Sequence, residues 1–211
     1  MKAIFFDFDG TLANTADGIA ATCAETLRRM NCPVPQEDEV RKLIGLPLKE
    51  TLQQLGGLDG QAAEEATLLY KDLFPQFEAL LVTIFPHVDC TLAQLRQRGI
   101  RLAVCTSRDL HSLRLIMDKN GLTQHFDILA TADDNLNPKP APDMVEHLLE
   151  KMQLDAKDVW VVGDTTFDID MGNGAGCHTV AVAYGNHSVE QLLASRPTKM
   201  VWDIRELLEL V

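Results

Sequence analysis

Ala3-Ile4-Phe5-Phe6-Asp7-Phe8-Asp9-Gly10-Thr11 is the stretch on which the reading of the fold turns. Its first four residues are apolar without alternation, which is the pattern of a strand buried on both faces. Two carboxylates one residue apart follow, and Asp-Gly then turns the chain. At the carboxyl end of a buried strand, Asp7 and Asp9 would converge on a cleft. The same residues also make an ordinary strand end and turn, and in isolation the two readings stand level.

Further along lie more apolar runs of four or five residues: Leu102 to Cys105, Phe126 to Ala130 (broken by Asp127), Val159 to Val162 and Thr179 to Ala183. Helical spacing separates them, as in Leu92 and Leu95 before one run and Leu110, Leu113, Ile116 and Met117 after it. Buried strands alternating with amphipathic helices predict an α/β fold, a doubly wound, mainly parallel, Rossmann-like sheet. From about Thr15 to Thr83 no convincing strand is visible, only helical stretches punctuated by Asn31-Cys32-Pro33, Gly45-Leu46-Pro47 and Gly56-Gly57. The expected organisation is a catalytic core of residues 1–14 and 84–211 with an all-helical cap, 15–83, inserted over the carboxyl edge of the sheet, where ligands bind in such folds. Its joints are expected near Ala13-Asn14-Thr15 and Phe85-Pro86.

Composition narrows the function. The 211 residues carry 31 acidic and 19 basic side chains, a formal charge of −12, so the average surface repels nucleic acid and anionic lipid. No stretch approaches the roughly 20 apolar residues of a membrane span. The five cysteines, Cys23, Cys32, Cys90, Cys105 and Cys177, form no Cys-x-x-Cys pair, and no secretory or transit segment is recognised. Reduced thiols in a cytoplasm are expected, with Cys105 a small core residue. The sequence leaves the oligomeric state open.

Three later segments supply what a phosphate site needs. Thr106 and Ser107 follow the second main strand and offer hydroxyls and amides near the start of a helix beginning around Asp109. Lys139 lies in Asn137-Pro138-Lys139-Pro140, between prolines that stiffen the backbone. Gly163-Asp164-Thr165-Thr166-Phe167-Asp168 adds two carboxylates after another strand. Four crowded carboxylates, Asp7, Asp9, Asp164 and Asp168, require a cation, and oxygen ligands without His or Cys suit Mg2+. Phosphoryl transfer asks mainly for positioning and charge neutralisation, which metal, Lys139 and Thr106 would provide.

In content, order and spacing, Asp7-x-Asp9-Gly10-Thr11, Thr106, Lys139-Pro140 and Gly163-Asp164 with Asp168 four residues on resemble the motifs of the haloacid dehalogenase superfamily. Asp7 to Leu27, with Thr15-Ala16-Asp17, looks like the phosphoglycolate phosphatase branch, whose helical cap enters at this point. The resemblance implies a phosphoric monoester hydrolase acting on a small phosphorylated metabolite, in which Asp7 is the nucleophile and forms an aspartyl-phosphate, Asp9 acts as acid and then base, and Lys139 binds the phosphoryl group and orients Asp7. Gly10, Thr11, Thr106 and Ser107 complete the implied phosphate-binding set. Asp7, the backbone carbonyl of Asp9, and Asp164 would hold Mg2+, with Asp168 as a further carboxylate. The chain departs from the family pattern where Ser107-Arg108 replaces the common Asn-Lys, and at His87, where relatives commonly have Gly, which implies a stiffer hinge.

Rival readings compete. A phospho-receiver signalling module shares the acidic pocket, Thr and Lys, but lacks the second Asp and the helical insertion. A sugar-phosphate mutase of the same superfamily usually has Val, His and Arg where this chain has Thr11, Ile19 and Leu48. Gly172, Gly174 and Gly176 lack the spacing of a dinucleotide loop and are expected to serve helix packing or a helix end. Glu37-Asp38-Glu39 is expected to open a cap helix. The cap cations Arg41, Lys42 and Lys49 could meet a substrate carboxylate or second phosphate, although solvated helix faces are the simpler account of them.

Overall fold

The computed structural model describes residues 1–210. The chain runs β1 (Ala3–Phe6), β2 (Ala13–Asn14), α1 (Ala16–Arg29), α2 (Glu37–Arg41), α3 (Leu48–Gly56), α4 (Gly60–Leu81) and β3 (Thr83–Ile84). It continues through α5 (Val88–Gln97), β4 (Arg101–Cys105), α6 (Leu110–Lys119), β5 (Ile128–Ala130), α7 (Asp143–Met152), β6 (Val159–Gly163), α8 (Thr166–Gly174), β7 (His178–Val182), α9 (Val189–Ala194) and β8 (Lys199–Val201). Six strands form one sheet in the order β5-β4-β1-β6-β7-β8, and every pairing in it is parallel. All six therefore end at the same edge.

The continuous apolar runs follow from the two-sided core. Side chains of a strand alternate between faces, so Ile4 and Phe6 pack with Leu102, Val104 and Val162 against Leu92 and Leu95 of α5 and Ile116 of α6. Ala3 and Phe5 pack with Ala103, Cys105 and Val161 against Val145 and Leu148 of α7. All four β1 side chains are fully buried. Burial drives the Cys105 thiol up to about 12, so it is an inert core group, as its apolar setting predicts. Gly172 brings α8 close to the sheet: a Cβ there would lie 2.6 Å from Thr179 and 2.9 Å from Val161.

Two features escape a reading of the sequence. β8 is only three residues long and runs from exposed Lys199 through half-buried Met200 to buried Val201, so no long apolar run betrays it. Ala13 and Asn14 pair antiparallel with Ile84 and Thr83, making a two-residue ribbon of the segments on either side of α1 to α4. β5 starts at Ile128, later than the run from Phe126 suggests, because a tight turn over Thr123–His125 reaches up to Phe126. The four helices between the ribbon strands share one apolar cluster with the sheet, through Leu27, Val40, Leu52, Tyr70 and Phe74. The acidic run opens α2 as expected, with Gln36 and Glu39 forming a capping box. No helix among the described residues is long and apolar enough to cross a membrane.

His87, just after the ribbon, holds φ at 66°. Crowding of a Cβ in left-handed backbone costs about 1–2 kcal/mol, whereas glycine's extra freedom in the unfolded chain costs about 0.5–1 kcal/mol. His87→Gly is therefore expected to raise stability by about 0.5–1 kcal/mol, read from urea unfolding midpoints.

Candidate active site

The parallel sheet delivers the loops after β1, β4, β6 and β7 to one edge. Asp7 is the first residue beyond β1, and its N–H donates to the Val162 carbonyl at 2.8 Å, which ties the loop to β6. Its carboxylate is 3% exposed and accepts from the Lys139 ammonium. Lys139 also donates to Asp168 Oδ1 at 2.6 Å, and its side chain is fully buried. Asp168 turns its other oxygen to the Thr165 N–H and hydroxyl, at 3.0 and 2.7 Å, so it caps α8 while tethering the lysine.

Asp164 is held by a separate set of donors. Its Oδ1 accepts from the Thr11 hydroxyl at 2.9 Å, and its Oδ2 from the backbone and side-chain N–H groups of Asn186 at 2.7 and 2.8 Å. There is room for this carboxylate only because Gly10, at φ 85°, and Gly185 lack side chains: a Cβ on either would come within 2.2 Å of Asp164. The Asn186 loop is pinned by the His187 Nδ1, which accepts from the Thr166 N–H at 3.1 Å.

One ligand oxygen each from Asp7, Asp164 and Asp168 falls within 4.8 Å of the others, and all three residues are buried. Burial pushes the Asp7 carboxyl well above its usual range; Lys139 opposes this, and Asp168 and Asp164 add to it. Asp164 is pushed up to about 7, first by burial and then by Asp168, against the pull of its Asn186 and Thr11 donors. Burial works against the charge of Lys139, but Asp168 and Asp7 outweigh it and raise its pKa. Three carboxylates against one ammonium leave a buried charge of −2 when all are ionised, and such a site in low dielectric calls for a compensating cation. A divalent ion fits that charge, and an all-oxygen donor set fits a hard one.

Asp9 is clamped apart from this cluster. Arg108 Nε and Nη2 donate to its two oxygens at 3.0 and 2.5 Å, and both side chains are nearly buried. The guanidinium also lies 4.7 Å from the ring centre of Phe74 on α4, a cation–π contact that ties this ion pair to the helical segment. Thr106 is 1% exposed and its hydroxyl accepts from the Arg108 N–H at 3.2 Å. Ser107 gives its hydroxyl proton to the Gly45 carbonyl at 2.6 Å. Gly45 in turn packs against Thr165 and Phe167, so the helical segment lies directly on the core loops.

Asp7, Asp9, Lys139, Asp164, Asp168, Gly10, Thr11 and Thr106 are thus brought together, with Ser107 at the seam. Thr11 gives its hydroxyl proton to Asp164, and Ser107 gives its own to the Gly45 carbonyl. Lys49 lines the adjoining cavity, whereas Arg41 pairs with Asp17 and Glu37 at a different cleft and Lys42 is exposed. Sequence reasoning missed Arg108 as a partner of Asp9, and also Gly185-Asn186. The latter carried a signal, since Gly-Asn follows strand β7 just as the other motifs follow theirs.

Known proteins are similar to this chain in sequence and in fold. A family profile described as haloacid dehalogenase-like hydrolase matches residues 4–182. The chain is 34% identical over 205 residues to a protein described as probable phosphatase IndB of Dickeya dadantii, covering 94% of this chain and 88% of that one. It is 32% identical to tyrosine-protein kinase PtkA of Mycobacterium tuberculosis, over 87% of this chain but only 62% of that longer protein. A crystal structure described as a predicted phosphoglycolate phosphatase from Haemophilus somnus superposes with a TM-score of 0.91 at 25% identity, covering 100% of this chain and 97% of that one.

Removing the lysine would strand two buried carboxylates. Lys139→Met is expected to destabilise the metal-free protein by about 3–5 kcal/mol at neutral pH, the scale of a buried pair that loses one partner, measured by urea unfolding.

Proposed function

The chain belongs to the haloacid dehalogenase-like hydrolase family, and from that premise we propose that it is a magnesium-dependent phosphatase that hydrolyses a phosphate monoester through an aspartyl-phosphate on Asp7. The observation that carries this reading is the buried cluster itself: Asp7, Asp164 and Asp168, when ionised, exceed Lys139 by two negative charges at the carboxyl edge of the sheet.

In the proposed cycle an Asp7 oxygen attacks phosphorus, and the bond from phosphorus to the leaving oxygen breaks. Asp9 gives that oxygen a proton. The regenerated Asp9 carboxylate then takes a proton from water, whose oxygen attacks phosphorus and releases phosphate from Asp7. Lys139 holds Asp7 in line, and Thr106 at the end of β4 meets the transferring phosphoryl group. Bound Mg2+ would neutralise phosphoryl oxygens; Asp7, Asp164 and the Asp9 carbonyl would hold it, with Asp168 beside them. In the structure Arg108 donates to both oxygens of the Asp9 carboxylate at the wall of the cavity, so in the proposed cycle Asp9 leaves that pairing to carry the proton.

We further propose that residues 15–83 act as a cap on the core of 1–14 and 84–211, opening at the β2–β3 ribbon and closing through Gly45 and Phe74. Phosphoglycolate, the substrate that the resemblance suggests, is one candidate ester. The named activity of PtkA belongs to that longer protein; transfer to water here rests on Asp9 as the base.

Excess chelator is expected to abolish hydrolysis of an aryl phosphate, and Mg2+ to restore it. Asp7→Asn should lower kcat by about 10⁴-fold or more, the scale of a lost nucleophile, while circular dichroism shows an intact fold. Full turnover in chelator would refute the metal, and near-normal turnover of Asp7→Asn the covalent route. A third measurement follows from the raised carboxyl of Asp164. Its folded value, about 7, exceeds the ordinary value of 3.8, so its stabilising contribution is complete below the latter and is lost as pH rises through the former. Cation binding displaces that proton. Millimolar Mg2+ should therefore raise Tm by several degrees more at about pH 8 than at about pH 5, and an equal shift at both would contradict the site.

A further inference from the structure

Beside Asp7 and Asp9 a cavity of about 370 Å³ opens between the helical segment and α6. That volume lies within the range that encloses an organic ligand of drug-like size, far more than a two-carbon acid needs. Its walls are mainly apolar, with Ile19, Leu46, Leu48 and Phe74 from the helical segment facing Leu115 of α6. Leu115 is 45% exposed although it borders this space, so the cavity has an apolar rim that nothing in the fold covers.

The charged groups of the lining point the same way. Each lysine and arginine there already faces a carboxylate: Arg108 holds Asp9, Lys49 lies 2.9 Å from Glu64, and Lys71 lies 3.9 Å from Asp109. Asp109 and Asp133 also lie in the wall and add negative charge to it. A second anionic group on the substrate would have to break an ion pair and then sit near these acids. An uncharged apolar body would displace water from leucine and aromatic surface.

Building on the phosphatase reading above, we propose that the substrate is a phosphate monoester of an uncharged alcohol with a mainly apolar body, which fills the cavity between the Leu46–Leu48 segment and Leu115, rather than phosphoglycolate or pyrophosphate. The phosphoryl end lies at Asp7 and the alcohol's carbon skeleton runs along α4 and α6. Specificity then comes from desolvated apolar area, and Lys49 and Lys71 take no part in recognition.

The test is kcat/KM of the wild-type protein, with saturating Mg2+, on n-alkyl phosphates from ethyl to octyl, on phosphoglycolate, on pyrophosphate and on an aryl phosphate. Within the alkyl series the leaving oxygen is nearly constant while buried area grows. Each added CH2 should raise kcat/KM about fourfold until the cavity is full, the equivalent of ~0.8 kcal/mol per buried CH2. Phosphoglycolate should fall below the mid-length alkyl esters. Leu115→Ser, a change at a half-exposed position, should lower the octyl-to-ethyl ratio by about fivefold or more. A flat alkyl series alongside metal-dependent aryl phosphate turnover would overturn this proposal and leave the phosphatase reading standing. So would a preference for phosphoglycolate that Lys49→Ala or Lys71→Ala abolishes. Absence of metal-dependent turnover on every ester would overturn both.

Discussion

A single buried ammonium organises the carboxyl edge of the sheet. Lys139 reaches between Asp7 after β1 and Asp168 on α8, and no part of its side chain meets solvent. Burying a cation is tolerable only with close counter-charges and satisfied protons, so three separate chain segments have to converge before any of them is stable in place. Asp168 shows how tightly the roles interlock, because the carboxylate that balances the lysine also caps the helix that carries it. The position of the nucleophile candidate is therefore set by electrostatics as much as by the strand that precedes it.

A second ion pair repeats the device with a different reach. Arg108 fixes Asp9 on the core side and lies on Phe74 of the helical segment. Its planar fork suits both contacts at once, which an ammonium could not do. The two acids of the Asp-x-Asp stretch thus sit in separate environments: Asp7 among like charges and one lysine, and Asp9 in a closed one-to-one pair. Groups of the same chemistry placed one residue apart can in this way take up different tasks.

The strands of the sheet are legible in the sequence wherever both faces are buried, because a strand covered by helices on each side needs every successive side chain apolar. The shared carboxyl ends of parallel strands likewise place Asp7, Thr106 and Asp164 together. Legibility fails where a role depends on a distant partner. Asp164 and the Gly45 carbonyl, which accept from the Thr11 and Ser107 hydroxyls, are visible as partners only in the folded chain. Arg108 stands out as a departure from the family pattern, yet its partners, Asp9 and Phe74, lie far away in sequence. β8 stays hidden because a short edge strand with one buried residue leaves no periodic trace.

The ribbon of β2 and β3 has a wider consequence. Ala13 faces Ile84 and Asn14 faces Thr83 across one antiparallel ladder, so the chain leaves and re-enters the sheet domain through neighbouring points. Whatever is threaded between those points meets a fixed gap of about 5 Å, and the entropy of closing that loop grows only slowly with its length. The ladder therefore works as a socket. Helical inserts of different size or surface could be exchanged there without disturbing the register of β1, leaving the acids at the sheet edge in place while the wall opposite them is rewritten.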